Sequence, residues 1–370
     1  MGAILPNNQV LRIQAQSGAY EVHVLSAGAG QQAVLAERLG LCSLFVIDRL
    51  VWDLHRATLA PLIPEQAVIF QDALEEQKTG LQALALCEAL LEKGIRRGHR
   101  VGVIGGGIIQ DLATFACSSL MRGVAWSFFP STLLAMADSC IGGKSSLNLK
   151  SWKNILGNFY PPKEIVIWAD FLATLHERDI RSGLAEVIKV HTLSGVAAIE
   201  QLEADFANGI PTIQTMPEII HRALSLKAQI IEEDEFDTGI RLTMNYGHTF
   251  GHALEAASDF AIPHGIAVGF GADMANLYAM GQGRIAAADY DRLRALTDCV
   301  SPQADWVSID PDRYLVALKK DKKNRDGSYG VVLPGPFGGM ALCHEPMDGP
   351  LEGHVRRYLA ARNAGVVPLV

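Results

Sequence analysis

The sequence predicts an α/β protein, with a Rossmann-like parallel-sheet half followed by a mainly α-helical half. Three observations carry that expectation. Before Asp170, short apolar runs alternate with amphipathic stretches, the pattern of βαβ units. After Asp170, strand signals nearly vanish and long stretches with helical spacing take over. The chain's 370 residues also exceed the roughly 250–300 at which a single core stops growing, so two domains are expected.

The strand-like runs are Tyr20–Leu25, Leu44–Asp48, Ala67–Phe70, Val101–Ile104, Val124–Phe129 and Ile165–Trp168. Between them the spacing predicts helices over Gln31–Leu39, Val51–Leu59 and Thr79–Lys93. In the second half it predicts helices over Ile180–Val190, Pro217–Glu232, Gly247–Ala257, Ala267–Met280, Ala286–Asp298 and Pro311–Lys319. The change of pattern puts the boundary near Ala169–Phe171, giving domains 1–169 and 170–370. No long Pro/Gly/Ser linker lies there, so the halves are expected to pack closely around a cleft. No internal repeat is visible, and the tail after Met347 carries little pattern.

Hydrophobic residues make up 49% and charged residues 19% of the chain, which excludes a disordered or collagen-like protein. The net charge of −8 argues against a nucleic-acid partner, and any anionic ligand must find a local basic cluster against that sign. Cys42, Cys87, Cys117, Cys140, Cys299 and Cys343 stand singly with no CxxC pair, as inert thiols of a reducing compartment do. Met1–Gln14 lacks a basic stretch followed by an apolar one, and no run reaches the roughly 18 apolar residues of a membrane span. A soluble, cytoplasmic protein without a membrane partner is expected.

Four motifs carry chemistry. In Val101–Asp111 a buried strand enters Gly105-Gly106-Gly107 and then a helix, a turn that lets backbone N–H groups approach a phosphate. Gln110 stands where the last glycine of a dinucleotide fingerprint would be, so this turn alone does not separate nucleotide binding from a plain tight turn. Asp48, ending an early strand, suits either a ribose acceptor or a helix N-cap. The second motif, Asp138 to Lys144 with Gly142-Gly143 between, lacks the spacer of a nucleoside-triphosphate loop. It is followed by Trp152-Lys153-Asn154.

The third motif is the strongest. His248 and His252 lie at i and i+4 on one helix face, with His264 further on and Glu186 and Lys189 one turn apart upstream. An acid and two imidazoles form a divalent-metal set with open positions for substrate oxygens; spacing does not say which of His248 and His252 is the ligand. The fourth is a set of cations: Lys227, Arg241 and the run Lys319–Asn324. A charge run is ordinarily a solvated face. Arg241, four residues before Asn245, is the better candidate for gripping a carboxylate or phosphate.

Together these residues resemble the dehydroquinate synthase family of sugar-phosphate cyclases, from about Phe45 to Lys323. The resemblance rests on Gly105-Gly106-Gly107 with Asp111, Met121-Arg122-Gly123, Asp138-Ser139, Gly142-Gly143-Lys144, Lys153-Asn154, Ala185-Glu186 with Lys189, Gly247-His248-Thr249-Phe250-Gly251-His252, and His264-Gly265. It implies a divalent metal, zinc first and cobalt as the alternative, on Glu186, His248 and His264. It implies NAD on Asp48, Glu75, Lys78, Gly106, Gly107, Asp111, Ser131, Thr132, Lys153, Thr174 and Leu175. Asp138, Lys144, Lys189, Asn245 and His252 would be catalytic, with His252 turned to the substrate's phosphate. Asn154, Lys227, Arg241, Lys322 and Lys323 would bind substrate. Arg122 would reach the phosphate in a neighbouring subunit, which implies a homodimer.

The implied reaction turns 3-deoxy-D-arabino-heptulosonate 7-phosphate into 3-dehydroquinate and phosphate, in the shikimate pathway of aromatic amino acid biosynthesis. Keeping both Lys227 and Arg241 suits a substrate with a carboxylate. The alternatives are a cyclase of secondary metabolism acting on the amino analogue or on sedoheptulose 7-phosphate, a metal-dependent polyol or glycerol dehydrogenase, and a family member that binds NAD without chemistry. The chain departs from the family pattern at Ser131, Cys140, Trp152, Asn158 and Ile266. At Ile266 the family has an acid expected to lie behind the metal ligand His264.

Overall fold

In a computed structural model, which describes residues 8–150, 152–321, 323–335 and 339–369, all six expected strands form. They are β2 (Gly18–Leu25), β3 (Leu44–Asp48), β4 (Val68–Gln71), β5 (Arg100–Gly105), β6 (Ala125–Pro130) and β9 (Glu164–Trp168). They run parallel, and an antiparallel edge strand β1 (Asn8–Ala15) completes one seven-stranded sheet in the order β1-β2-β9-β6-β5-β3-β4. Every residue of β3 and β9 is buried, as a sheet covered on both faces requires. β1 is half polar and pairs on one side only, so its sequence lacks the apolar run that marks the others. β7 (Leu147–Leu149) and β8 (Trp152–Leu156) form a separate hairpin, and β8 is almost wholly exposed.

The strand order fixes where a ligand can enter. β4 lies on one side of β3 and β5 on the other, so the winding reverses between β3 and β5. Open α/β sheets bind ligands at the carboxyl ends of strands at such a switch point. Asp48 ends β3, and Gly105 ends β5 ahead of the helix Gly107–Ser119.

The chain forms two compact units, Met1–His176 with Thr212–Phe236, and Glu177–Pro211 with Asp237–Val370. This differs from the expected 1–169 and 170–370 in two ways. The division falls after the 3-10 turn Ala169–Thr174, and the helix Met216–Glu233 returns to the first unit. That return is held partly by backbone N–H donors at the end of β1 and in the turn after it: Gln14 donates to Glu232 and Ser17 to Glu235, both at 2.8 Å. A periodicity argument detects the helix but not which layer covers its apolar face.

The second unit is helical as expected, with helices Glu177–Leu193, Val196–Asp205, His248–Ala257, His264–Gly281, Ala287–Val300, Pro311–Lys319 and Pro350–Asn363. A hairpin, β10 (Ser328–Pro334) and β11 (Met340–Pro346), was not expected there. In the first unit the expected helix Val51–Leu59 is broken at His55 into Arg49–Leu54 and Arg56–Leu59. The tail beyond Met347 is well anchored: Leu351, Val355, Tyr358 and Leu359 join the hydrophobic core. Among the described residues no helix is long and apolar enough to cross a membrane.

Candidate active site

Three helices of the second unit converge on Glu186. Close backbone approach makes this geometry available. A Cβ on Gly265 would stand 1.9 Å from the Ser182 carbonyl oxygen, and one on Gly271 would stand 2.1 Å from that of Gly247. Only glycine lets the helix His264–Gly281 lie this close to both Glu177–Leu193 and the start of His248–Ala257. One ligand atom from each of Glu186, His248 and His264 lies within 4.8 Å of the others. Glu186 Oε1 is 3.8 Å from His248 Nε2 and 3.4 Å from His264 Nε2.

The supporting contacts orient this set. His248 Nδ1 donates to the Tyr246 carbonyl at 3.0 Å. A carbonyl only accepts, so Nδ1 carries the hydrogen and Nε2 turns its lone pair to Glu186. His264 Nδ1 donates to Glu255 Oε2 at 3.1 Å, which turns its Nε2 toward Glu186. Glu186 is 1% exposed and neither of its oxygens accepts a well-formed hydrogen bond; Lys189 Nζ pairs with Oε2. A buried carboxylate short of donors, with the Nε2 atoms of two imidazoles turned toward it, fits a divalent cation of the zinc type.

The electrostatics agree. Burial disfavours the charge on Glu186, but the Lys189 ammonium and the imidazoles prevail and hold its carboxyl well below the ordinary range. Burial pushes His248 down, keeping it neutral as a ligand must be. Burial also opposes charge on His264, yet Glu255 and Glu186 raise it to about 10. The two carboxylates thus hold a proton where a dication would compete for the same imidazole.

Glu255 is the residue sequence reasoning overlooked, and it answers the departure at Ile266. Ile266 is fully buried in the core, and the carboxylate behind His264 comes instead from Glu255. Its place three residues after His252 on one helix was a legible signal. We expect Glu255→Gln to weaken divalent-metal affinity by about 10–100-fold, as loss of such a supporting carboxylate does. Chelator-competition titration measures this, and an unchanged affinity would remove Glu255 from the site.

His252 belongs, with Glu255 and His264, to a second group whose possible ligand atoms lie within 4.8 Å of one another. Its Nδ1 is 3.6 Å from Asp321 Oδ2, and Lys323 Nζ reaches the same oxygen at 2.7 Å. Burial lowers His252, so it is neutral at physiological pH. Burial resists ionisation of Asp321, but His252 and Lys323 hold its carboxyl well below the usual range. Arg241 and Asn245 lie on the 3-10 turn Ile240–Asn245, Arg241 buried and Asn245 donating to the Leu242 carbonyl at 3.0 Å. Lys322 lies outside the described residues.

The first unit gathers most of the expected nucleotide residues at the carboxyl end of the sheet. Lys78 Nζ reaches Asp111 Oδ2 at 3.2 Å and Asn154 Oδ1 at 2.7 Å. Lys153 Nζ lies 3.4 Å from Glu75 Oε1, which also accepts from Asn148 at 2.9 Å. Asn148, not anticipated, accepts from the Asn154 backbone N–H as well, at 3.0 Å. Burial raises Asp111 to about 6 against the pull of Lys78. Gly106 caps the helix Gly107–Ser119 without any side-chain bond to its free N–H groups, and the space beside Gly107 is open. The Ser131 hydroxyl is buried without a partner, while Thr132 Oγ1 accepts from Ala135 N–H at 3.3 Å. Asp48 does cap a helix, accepting from Leu50 N–H at 3.0 Å. Thr174 is bonded to His55 at 2.9 Å and precedes Leu175.

Asp138 lies on a π-helical turn, Ala135–Ser139, with Lys227 Nζ 2.9 Å from its Oδ1. Lys227 is buried, so the pair is fixed. Lys144 Nζ sits 5.9 Å from the centre of the Phe159 ring. Arg122 is exposed on a left-handed backbone (φ 64°) with no side-chain partner among the described residues.

Comparison with known proteins agrees with this geometry. Residues 68–182 match the family described as 3-dehydroquinate synthase N-terminal, and residues 183–324 match 3-dehydroquinate synthase C-terminal. A 3-dehydroquinate synthase of Geobacter metallireducens is 35% identical over 274 residues, 72% of this chain and 75% of that protein. A 2-epi-5-epi-valiolone synthase of Streptomyces hygroscopicus, solved with NAD+ and Zn2+, is 26% identical with a TM-score of 0.78, covering 94% of this chain and 97% of that one. A 2-deoxy-scyllo-inosose synthase, solved with carbaglucose-6-phosphate, NAD+ and Co2+, shares the fold at 23% identity and a TM-score of 0.83, over 94% of this chain and 99% of that one.

Proposed function

This chain belongs to the 3-dehydroquinate synthase family, and on that premise we propose that it converts 3-deoxy-D-arabino-heptulosonate 7-phosphate into 3-dehydroquinate and inorganic phosphate. It would act as a carbon–oxygen lyase with no net redox change, using NAD and a divalent metal, as a homodimer in the cytoplasm. The observation that carries the reading is the buried Glu186 with the Nε2 atoms of His248 and His264 turned toward it by Tyr246 and Glu255.

When bound, the metal supplies Lewis-acid polarisation of a substrate hydroxyl and NAD a reversible hydride acceptor. The chain's residues do the remaining work. Glu186, His248 and His264 hold the cation, and Lys189 keeps Glu186 ionised. Glu75, Lys78, Asp111, Ser131, Thr132 and Lys153 would hold the dinucleotide, and the free N–H groups after Gly106 would suit a pyrophosphate. Neutral His252, beside the ionised Asp321, is able to take a proton and to bond a phosphate oxygen, with Lys323 supplying a positive group beside it; Lys144 and Asn154 of the first unit are further candidate substrate contacts. Arg241 is the proposed partner of the carboxylate, and Lys227 is a further candidate cation; each is buried, where a charge-assisted contact is strongest. Exposed Arg122, without a side-chain partner of its own, supports contact with a second copy's substrate.

A substrate panel scored by phosphate release tests the reading. It should contain the heptulosonate phosphate, its amino analogue, sedoheptulose 7-phosphate and a polyol. Phosphate release from the first with no net NADH is expected; NADH accumulation on the polyol without phosphate release would overturn the reading. Arg241→Ala should weaken the carboxylated substrate by roughly 2–5 kcal/mol and leave sedoheptulose 7-phosphate nearly unaffected. Equal losses would show that Arg241 does not select substrate.

A further inference from the structure

The amino-terminal ends of the strands, opposite the end that carries Asp48 and the glycine turn, hold a charged cluster that the proposed reaction does not use. Arg12 of β1, Glu21 of β2, Glu164 of β9 and Ser127 of β6 are register partners across four neighbouring strands, so they share one face. Arg38, near the end of the helix Gln32–Leu39, and Arg100, the first residue of β5, lie with them. Lys163 precedes β9. Arg12, Glu21, Arg38, Arg100, Lys163 and Glu164 line a hollow of about 300 Å³.

The charges in the hollow do not cancel. Glu164 is buried and fully engaged, with Arg100 at 2.9 Å, Arg38 at 3.4 Å and Ser127 Oγ at 3.0 Å. Glu21 has one ion-pair contact, His23 Nε2 at 3.6 Å. Against these two carboxylates stand Arg12, Arg38, Arg100 and Lys163. The side chains of Arg12 and Lys163 have no hydrogen bond or ion pair among the described residues, and Arg38 Nε is buried without an acceptor. His23, two residues from Glu21 on the same face of β2, is 3% exposed, and neither ring nitrogen has a hydrogen-bond partner among the described residues. A buried donor without an acceptor, here Arg38 Nε, costs free energy that an acceptor-rich anion would recover. In a protein of net charge −8, such a local excess is the feature an anion would find.

We propose that this hollow is a second anion site that binds a phosphate dianion, either free or as the head group of a phosphate monoester. The guanidinium groups of Arg12 and Arg38 suit paired N–H contacts to phosphate oxygens, and Lys163 adds a mobile charge at the rim. Glu164 positions Arg38 and Arg100 and does not touch the ligand.

Calorimetric titration of the full chain with inorganic phosphate, and separately with glycerol 3-phosphate, tests this. The variant is Arg12→Gln combined with Lys163→Gln, two exposed side chains whose loss spares every buried contact. Both proteins are also prepared in a His252→Ala background, so that phosphate bound at the proposed reaction site does not mask the result. The expected outcome is affinity weakened by about tenfold or more in the double variant in both backgrounds. Loss for both probes assigns the phosphate group itself as the ligand; loss for glycerol 3-phosphate alone assigns a monoester. Identical isotherms with and without the two substitutions would overturn the proposal while leaving the proposed reaction untouched.

Discussion

Replacing Glu186 by glutamine is expected to strip the divalent ion from the protein and abolish turnover. The substitution keeps size and shape but removes the one negative charge that the two imidazoles and Lys189 share. It leaves a buried ammonium with a neutral neighbour, and a three-ligand site reduced to two imidazoles and an amide. Metal content after dialysis should fall from about one ion per chain to a small fraction of that. Far-UV circular dichroism should stay unchanged, because Glu186 supports no backbone contact among the described residues. Full retention of metal with an unchanged spectrum would mean that Glu186 is not a ligand. His264→Ala should act in the same direction, and Glu255→Gln, which leaves all three ligands in place, should give a smaller loss.

A second large effect is expected far from the chemistry. Arg362 of the last helix donates to Asp273 Oδ2 at 2.8 Å, and both side chains are almost completely buried. Tyr358 and Tyr290 donate to the same carboxylate at 2.7 and 3.2 Å. Arg362→Met removes the cation and leaves Asp273 with two hydroxyl donors in a low-dielectric core. Breaking a buried pair from one side costs about 3–5 kcal/mol, read as a drop in the urea midpoint at constant slope. Adding Asp273→Asn should recover much of that loss, because the uncompensated charge is then gone. A loss under about 1 kcal/mol for Arg362→Met would show that the pair does not secure the tail.

Much of this was legible in the residues because it depends on local periodicity. Strands such as Leu44–Asp48 and Ile165–Trp168 are short, continuous and apolar, so a buried parallel sheet follows from their pattern. β1 escaped because an edge strand needs no apolar face on both sides, and the tail helix Pro350–Asn363 escaped because its charged residues obscure the buried stripe. The histidine pair His248 and His252 was visible as a metal-type signal, but spacing could not choose between them. The neighbours that distinguish the two are distant in sequence: Glu186 beside His248 Nε2, and Asp321 beside His252 Nδ1.

The order of residues alone determined the parallel-sheet half, the helical half, the glycine turn after β5 and the ionisable groups available for chemistry, because each follows from spacing and side-chain type within about 20 residues. Tertiary structure decided which groups meet. It returned the helix Met216–Glu233 to the sheet unit and set Asp48 on a helix cap. It supplied Glu255 behind His264, and it gathered Arg12, Arg38, Arg100 and Lys163 at one end of the strands. The physical reason is common to all four. An ionisable side chain acquires its role from the charges and burial around it, and those come from segments that only packing brings together.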